Sequence, residues 1–145
     1  MPRAQTVDLS SIADRVHPQT WSLFQQLRTR MRQLKGVTMK LDYEKQSREA
    51  VPAFYYGSRR LFHLRARGEE INATFHADYK AKNRLAGNQT LDWRLRDQVS
   101  KRSWTDFSLR SSKDLAPFVE LVRAKYDMIN EDVTGKLVEE RPIAV

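Results

Sequence analysis

The chain has 145 residues, 26 Lys+Arg against 18 Asp+Glu for a net charge of +8, and no cysteine. That size is one domain with one core, and the composition excludes disulfides, thiol nucleophiles and Cys-ligated metals. The opening MPRAQTVDLSSIADRV lacks the apolar core of a signal peptide and no later run approaches the ~20 apolar residues of a bilayer span, so the expectation is a cytoplasmic protein without membrane attachment.

In chain order, residues 1–18 read as an N-terminal extension with a short helix from Asp8 to Val16, capped by Asp8 or Ser10 and leading to Pro18. From Gln19 to Lys35 the stripe Phe24, Leu27, Met31, Leu34 opposes Gln25, Arg28, Arg32 and Lys35, which predicts an amphipathic helix ended by Gly36. The period then changes to two: Val37, Met39, Leu41 and Tyr43 alternate with Thr38, Lys40 and Asp42, the pattern of a strand. After a polar connection, Pro52 to Tyr56 predicts a second strand, with Pro52 at its start where a missing N–H is tolerated.

Leu61 to Ala77 reads as a complete β-hairpin. Phe62, Leu64 and Ala66 share a face with Ile71, Ala73, Phe75 and Ala77, while Leu61, His63, Arg65, Arg67, Asn72, Thr74 and His76 take the other. Gly68 and Glu69 form the turn, and the register places Phe62 opposite Phe75, Leu64 opposite Ala73 and Ala66 opposite Ile71. Between Asp78 and Arg102 the pattern predicts a short helical turn, a break at Gly87-Asn88, and a basic helix with N-cap Thr90 and the stripe Leu91, Leu95, Val99. Trp104 to Arg110 alternates as a last strand, with Trp104 at a sheet edge. A helix starting at Ser111 or Ser112 then carries Leu115, Phe118, Val119, Val122, Tyr126 and Ile129 on one broad apolar face. Residues 130–145 read as a C-terminal extension.

The predicted fold is α+β: one domain over 19–129, with a mainly antiparallel sheet of about five strands packed on one face by an N-terminal and a C-terminal helix. The expected core is Phe24, Leu27, Met31, Leu34, Met39, Leu41, Phe62, Leu64, Ile71, Ala73, Phe75, Phe107, Leu109, Leu115, Val119 and Val122.

The stretches VTMKLDY, AFYYGSRRLFHLRARGEEINATF, LDWRLRDQV and WTDFSLRSSKDLAPFVELVRAKYDMI cover most of Trp21 to Ile129. In that order they resemble the small α+β domains of the YjbR/MmcQ-like type, and more closely an uncharacterised domain labelled a predicted transport protein. The closing pattern, an aromatic strand, a Ser-x-x-Asp helix start and a helix passing Lys125-Tyr126, is the most specific part. The resemblance implies the fold and supplies no catalytic residues.

Glycine-rich phosphate loops, Gly-x-Ser-x-Gly and His-Glu-x-x-His are all missing from the sequence. Asp42 and Glu44 could pair for metal-assisted hydrolysis, but Lys45 is expected on the opposite face, which leaves a carboxylate-lysine nuclease site unsupported. His63 and His76 are expected as diagonal neighbours on the polar sheet face, roughly 7–8 Å apart at Cα. A metal or acid–base pair there would need a carboxylate, for which Asp42 and Asp78 are the nearest candidates. Arg59, Arg65 and Arg67 near Tyr55 and Tyr56 could engage phosphates and stack bases, although the two tyrosines must point to opposite faces, so that at most one joins that surface.

The leading expectation is therefore a non-enzymatic binding or accessory domain for a polyanion such as nucleic acid, with no cofactor, no metal and no catalytic residue. Its candidate binding residues are Tyr55, His63, Arg65, Arg67, Thr74 and His76. The alternative is a small-molecule-binding or enzymatic domain using the polar face around His63 and His76. A homodimer or a protein partner stays open.

Overall fold

The structure, a computed structural model, describes residues 9–45, 48–101 and 104–140, the side chains of Ser11 and of 132–140 excepted. The order is α1 (Ser10–Ala13), α2 (Pro18–Arg32), β1 (Val37–Glu44), β2 (Glu49–Tyr56), β3 (Arg59–Arg67), β4 (Glu70–His76), α3 (Tyr79–Ala86), α4 (Trp93–Lys101), β5 (Trp104–Leu109) and α5 (Ser112–Glu140). The five strands form an antiparallel meander in the order β1-β2-β3-β4-β5, so the sheet is built from neighbours in sequence. This is the α+β architecture expected, with α2 and α5 packed against the sheet. Among the described residues no helix is long and apolar enough to cross a membrane.

The core lies between the sheet and these helices. Phe62 is fully buried, stacked on Phe54 and edge-on to Phe118, and Phe118 in turn meets Phe107. Each such ring contributes about 1.5–3 kcal/mol by leaving water. The stripe of α2 is buried as expected, with Leu23 and Thr20 added, and α5 adds Leu121 to its predicted face. The hairpin register is the one the alternation requires, and Gly68 takes a φ of 57° in its turn. Gly36 has a φ of 88° and lies so close to Tyr56 that an added Cβ would stand 2.9 Å from the ring, so a larger residue at this position would be strained and would have to displace the ring.

Several expectations move. Asp8 lies outside the described residues, and α1 is a single turn from Ser10 to Ala13 with Leu9 at its N-cap. Thr90 does not cap α4: the helix begins at Trp93, and the Asp92 carboxylate accepts from the Arg94 N–H. β2 begins at Glu49, so Pro52 sits inside it, paired with Leu41. That is tolerated because the β2–β3 ladder extends only to Ala53, leaving Glu49 to Pro52 with a strand on one side alone. Met39 and Leu41 are only partly buried, as befits β1 at the sheet edge. α5 runs on to Glu140 without a break near Asn130.

Leu61 is the most consequential correction. Expected on the polar face, it is fully buried in the core cluster. The β2–β3 register shifts between Phe54 and Tyr55, pairing Phe54 with Phe62 but Tyr55 with Arg60, so Leu61 is an extra residue. A bulge of this kind turns one side chain out of alternation. Here it sends Leu61 inward.

Candidate functional site

The site is the sheet face turned away from α2 and α5. Pairing aligns Lys40, Ala53, His63, Thr74 and Asp106 across all five strands, and period-two alternation then gives these residues one common face. Val51 and Ala53, also on this face, are buried yet stand apart from the core cluster, because polar side chains cover them. A cleft of about 700 Å3 opens here, lined by Asp42, Glu44, Lys45, Arg60, His63, Arg65, Thr74, His76, Trp104 and Asp106 among others.

At its centre, His63 Nδ1 and His76 Nε2 are 2.8 Å apart, a hydrogen bond between the rings. Diagonal strand positions reach this contact because two imidazoles are long enough to close the Cα gap. The Glu44 carboxylate approaches the other nitrogen of His63, Nε2, at 3.4 Å. A carboxylate beside Nε2 favours the proton there. His63 Nδ1 must then accept, so His76 donates from Nε2, which leaves a lone pair on His76 Nδ1. Among the described residues no protein donor meets that lone pair.

Both rings are neutral near pH 7. Burial first, then the like charge a protonated His63 would add and the cations of Arg60 and Lys125, push His76 down to about 4. His63 is lowered as well, by burial first and then by Arg60, with Glu44 opposing. Trp104 meets His76 edge-on with ring centroids 5.5 Å apart and is 66% exposed, so its indole presents a free face at the cleft.

Carboxylates of β1 and β2 hold the cations of this face. Asp42 accepts from Tyr55 Oη and from Arg60, and although burial opposes its charge, these two bonds keep its pKa below the ordinary value. Arg65 lies 3.4 Å from Glu44, whose Oε1 is buried with no hydrogen-bond partner. Glu49 takes Arg67 at 2.9 Å and Arg15 at 2.7 Å. Thr74 donates to Asp106 at 2.6 Å.

Of the six candidate residues, His63, Arg65, Thr74 and His76 line one cleft, whereas Tyr55 and Arg67 do not. Tyr55 and Tyr56 do point to opposite faces: Tyr56 stacks on Tyr126 of α5. The Tyr55 ring is covered by Lys40 at 4.2 Å, and its hydroxyl is committed to Asp42, so it offers no stacking platform.

The carboxylate joining the histidines is Glu44, not Asp42 or Asp78. Asp42 is held by Arg60, and Asp78 caps α3 by accepting from the Ala81 N–H. Lys45, just past the end of β1 where strand alternation stops, lines the same cleft as Asp42, Tyr43 and Glu44. Sequence reasoning also missed Arg60, Trp104 and Asp106 as site residues. Asp106 was within reach, since the alternation of β5 already placed it with Trp104 and Ser108 on the polar side. Among the described residues no three His, Asp or Glu side chains are grouped to hold a metal ion.

No known protein family, curated protein or solved structure matches the chain.

Proposed function

We propose that the chain is a non-enzymatic binding domain that takes a small, polar, uncharged or zwitterionic molecule in the open-face cleft. The observation that carries this is the bonded pair of neutral histidines, with an unused acceptor on His76, beside the exposed face of Trp104. A ligand offering an N–H or O–H to His76 and a flat ring to Trp104 complements both. The charged walls are balanced, with Asp42, Glu44 and Asp106 facing Lys45, Arg60 and Arg65. A cleft of that kind favours neither a strong anion nor a strong cation.

Binding is favoured over catalysis because a general base works best with a pKa near the operating pH. His76, near 4, is a poor proton acceptor at neutrality. The polyanion reading rests on the net charge alone at this face: Arg65 and Arg67, its expected carriers, are turned to Glu44 and Glu49.

The test is a two-dimensional NMR screen of the full chain with nucleosides, amino acids, monosaccharides and an oligonucleotide, following the His63, His76 and Trp104 side chains. At least one compound class should shift all three, and His76→Ala should abolish the shifts while preserving the rest of the spectrum. Hits that map elsewhere, or a screen in which only an oligonucleotide perturbs these groups, would overturn the reading.

A further inference from the structure

A second pocket, of about 580 Å3, lies at the end of the sheet where β3 begins and β4 finishes, between α3 and α5. Its walls carry Arg59, Arg60, Lys80, Arg84 and Lys125 against one carboxylate, Asp78. Arg60 is committed to Asp42 and Arg84 lies 3.4 Å from Glu131. No carboxylate among the described residues lies within ion-pairing distance of Arg59, Lys80 or Lys125. Like charges gathered in this way repel, more so where protein replaces water.

Lys125 marks the floor. It is 8% exposed, and its ammonium donates to the backbone carbonyls of Arg60, at 3.0 Å, and of His76, above the Phe75 ring. Two of its three N–H groups are thereby used and its position is fixed, which leaves one donor beyond the two carbonyls. Burial lowers its pKa to about 8, with Asp78 opposing and Arg59 adding to the shift. A buried, preorganised cation with no carboxylate at ion-pairing distance costs folding free energy, and an anion in the pocket would offset that cost.

We propose that this pocket binds the phosphate group of a small phosphomonoester, held by Arg59, Lys80 and Lys125. A dianion matches three cations that have no carboxylate partner among the described residues, from three elements, β3, α3 and α5. The space exceeds that of a phosphate ion, and Trp104, Met128 and Ile129 supply apolar wall for an organic body. The three cations do not line the open-face cleft, so the site stands independently of the function proposed for that cleft.

The test is calorimetric titration of the full chain with phenyl phosphate and with inorganic phosphate at physiological ionic strength. Phenyl phosphate should bind saturably at one site, and the double variant Arg59→Ala, Lys80→Ala should weaken it roughly tenfold or more. The double variant Arg110→Ala, Lys113→Ala removes the same charge beyond the other end of β5 and should leave affinity within about twofold. Lys125→Met should also weaken binding; if that variant fails to fold, the exposed Arg59/Lys80 pair still decides the matter. Binding of inorganic phosphate as tight as that of phenyl phosphate would identify the free ion as the ligand, whereas tighter phenyl phosphate with a shifted Trp104 indole resonance would identify the ester. Equal losses from both double variants, no saturable binding, or binding of an oligonucleotide that phenyl phosphate does not displace would each overturn the proposal.

Discussion

The open-face cleft and the end pocket share Arg60, His76 and Trp104 in their walls, yet they treat charge differently. On the open face carboxylates of β1 and β2 meet the arginines of β3: Asp42 meets Arg60 and Glu44 meets Arg65 across β2, and Glu49 meets Arg67 on the adjacent strand. At the end of the sheet the walls come from helices and strand termini, and five cations face a single carboxylate. The contrast shows how a net charge of +8 is distributed. The sheet brings opposite charges from β1, β2 and β3 onto one face within reach of each other, whereas the faces of α3 and α5 have no ladder to do so. His76 lies on the boundary. Its ring belongs to the open face, and its carbonyl anchors Lys125 in the end pocket.

Both clefts rest on the same core, and breaking that core should erase the distinction. Phe62→Ala removes the ring shared by Phe54 and Phe118, at a cost of about 3–5 kcal/mol. Urea denaturation should show this as a large fall in midpoint, and a loss under 1 kcal/mol would place the ring outside the shared support.

The next effect belongs to His76. Its pKa is about 4 in the folded chain against an ordinary 6.5, so the unfolded state binds the proton first as pH falls. Stability is therefore complete above pH 6.5 and is lost as pH drops toward 4. The loss is on the order of 1–2 kcal/mol once screening of the partly exposed ring is allowed for. The lowered pKa of His63 acts in the same direction. Urea midpoints at pH 7 and pH 4.5 should differ accordingly, and His76→Gln should remove most of the difference. An unchanged difference in the variant would mean that the histidine pair does not couple to folding.

The smallest effects test the charge contrast itself. Arg65→Met leaves Glu44 with a buried oxygen and no guanidinium beside it, which should cost roughly 1 kcal/mol at pH 7. Arg59→Met removes a cation that has no carboxylate partner among the described residues, and should change stability by no more than about 0.5 kcal/mol. Equal costs for the two substitutions would show that the pairing on the open face contributes nothing distinct.

Most of the frame is legible in local residue patterns. Period-two alternation, the Gly68 turn and the stripes of α2 and α5 specify five strands, the hairpin register and the side on which the helices lie, because these are local consequences of 2- and 3.6-residue repeats. The same alternation placed His63, Thr74 and His76 on the polar face. Which side chains meet depends on the packing of distant segments. The bulge that buries Leu61 arises from pairing β3 with β2 and β4 at once, and no periodicity within β3 reveals it. Glu44 joins His63 only because β2, bearing the small Ala53, lies between their strands. Lys125 and Arg59, 66 residues apart in number, share a pocket because α5 returns across the end of the sheet. Such encounters depend on strand order and helix return, which bring together residues that no local repeat connects.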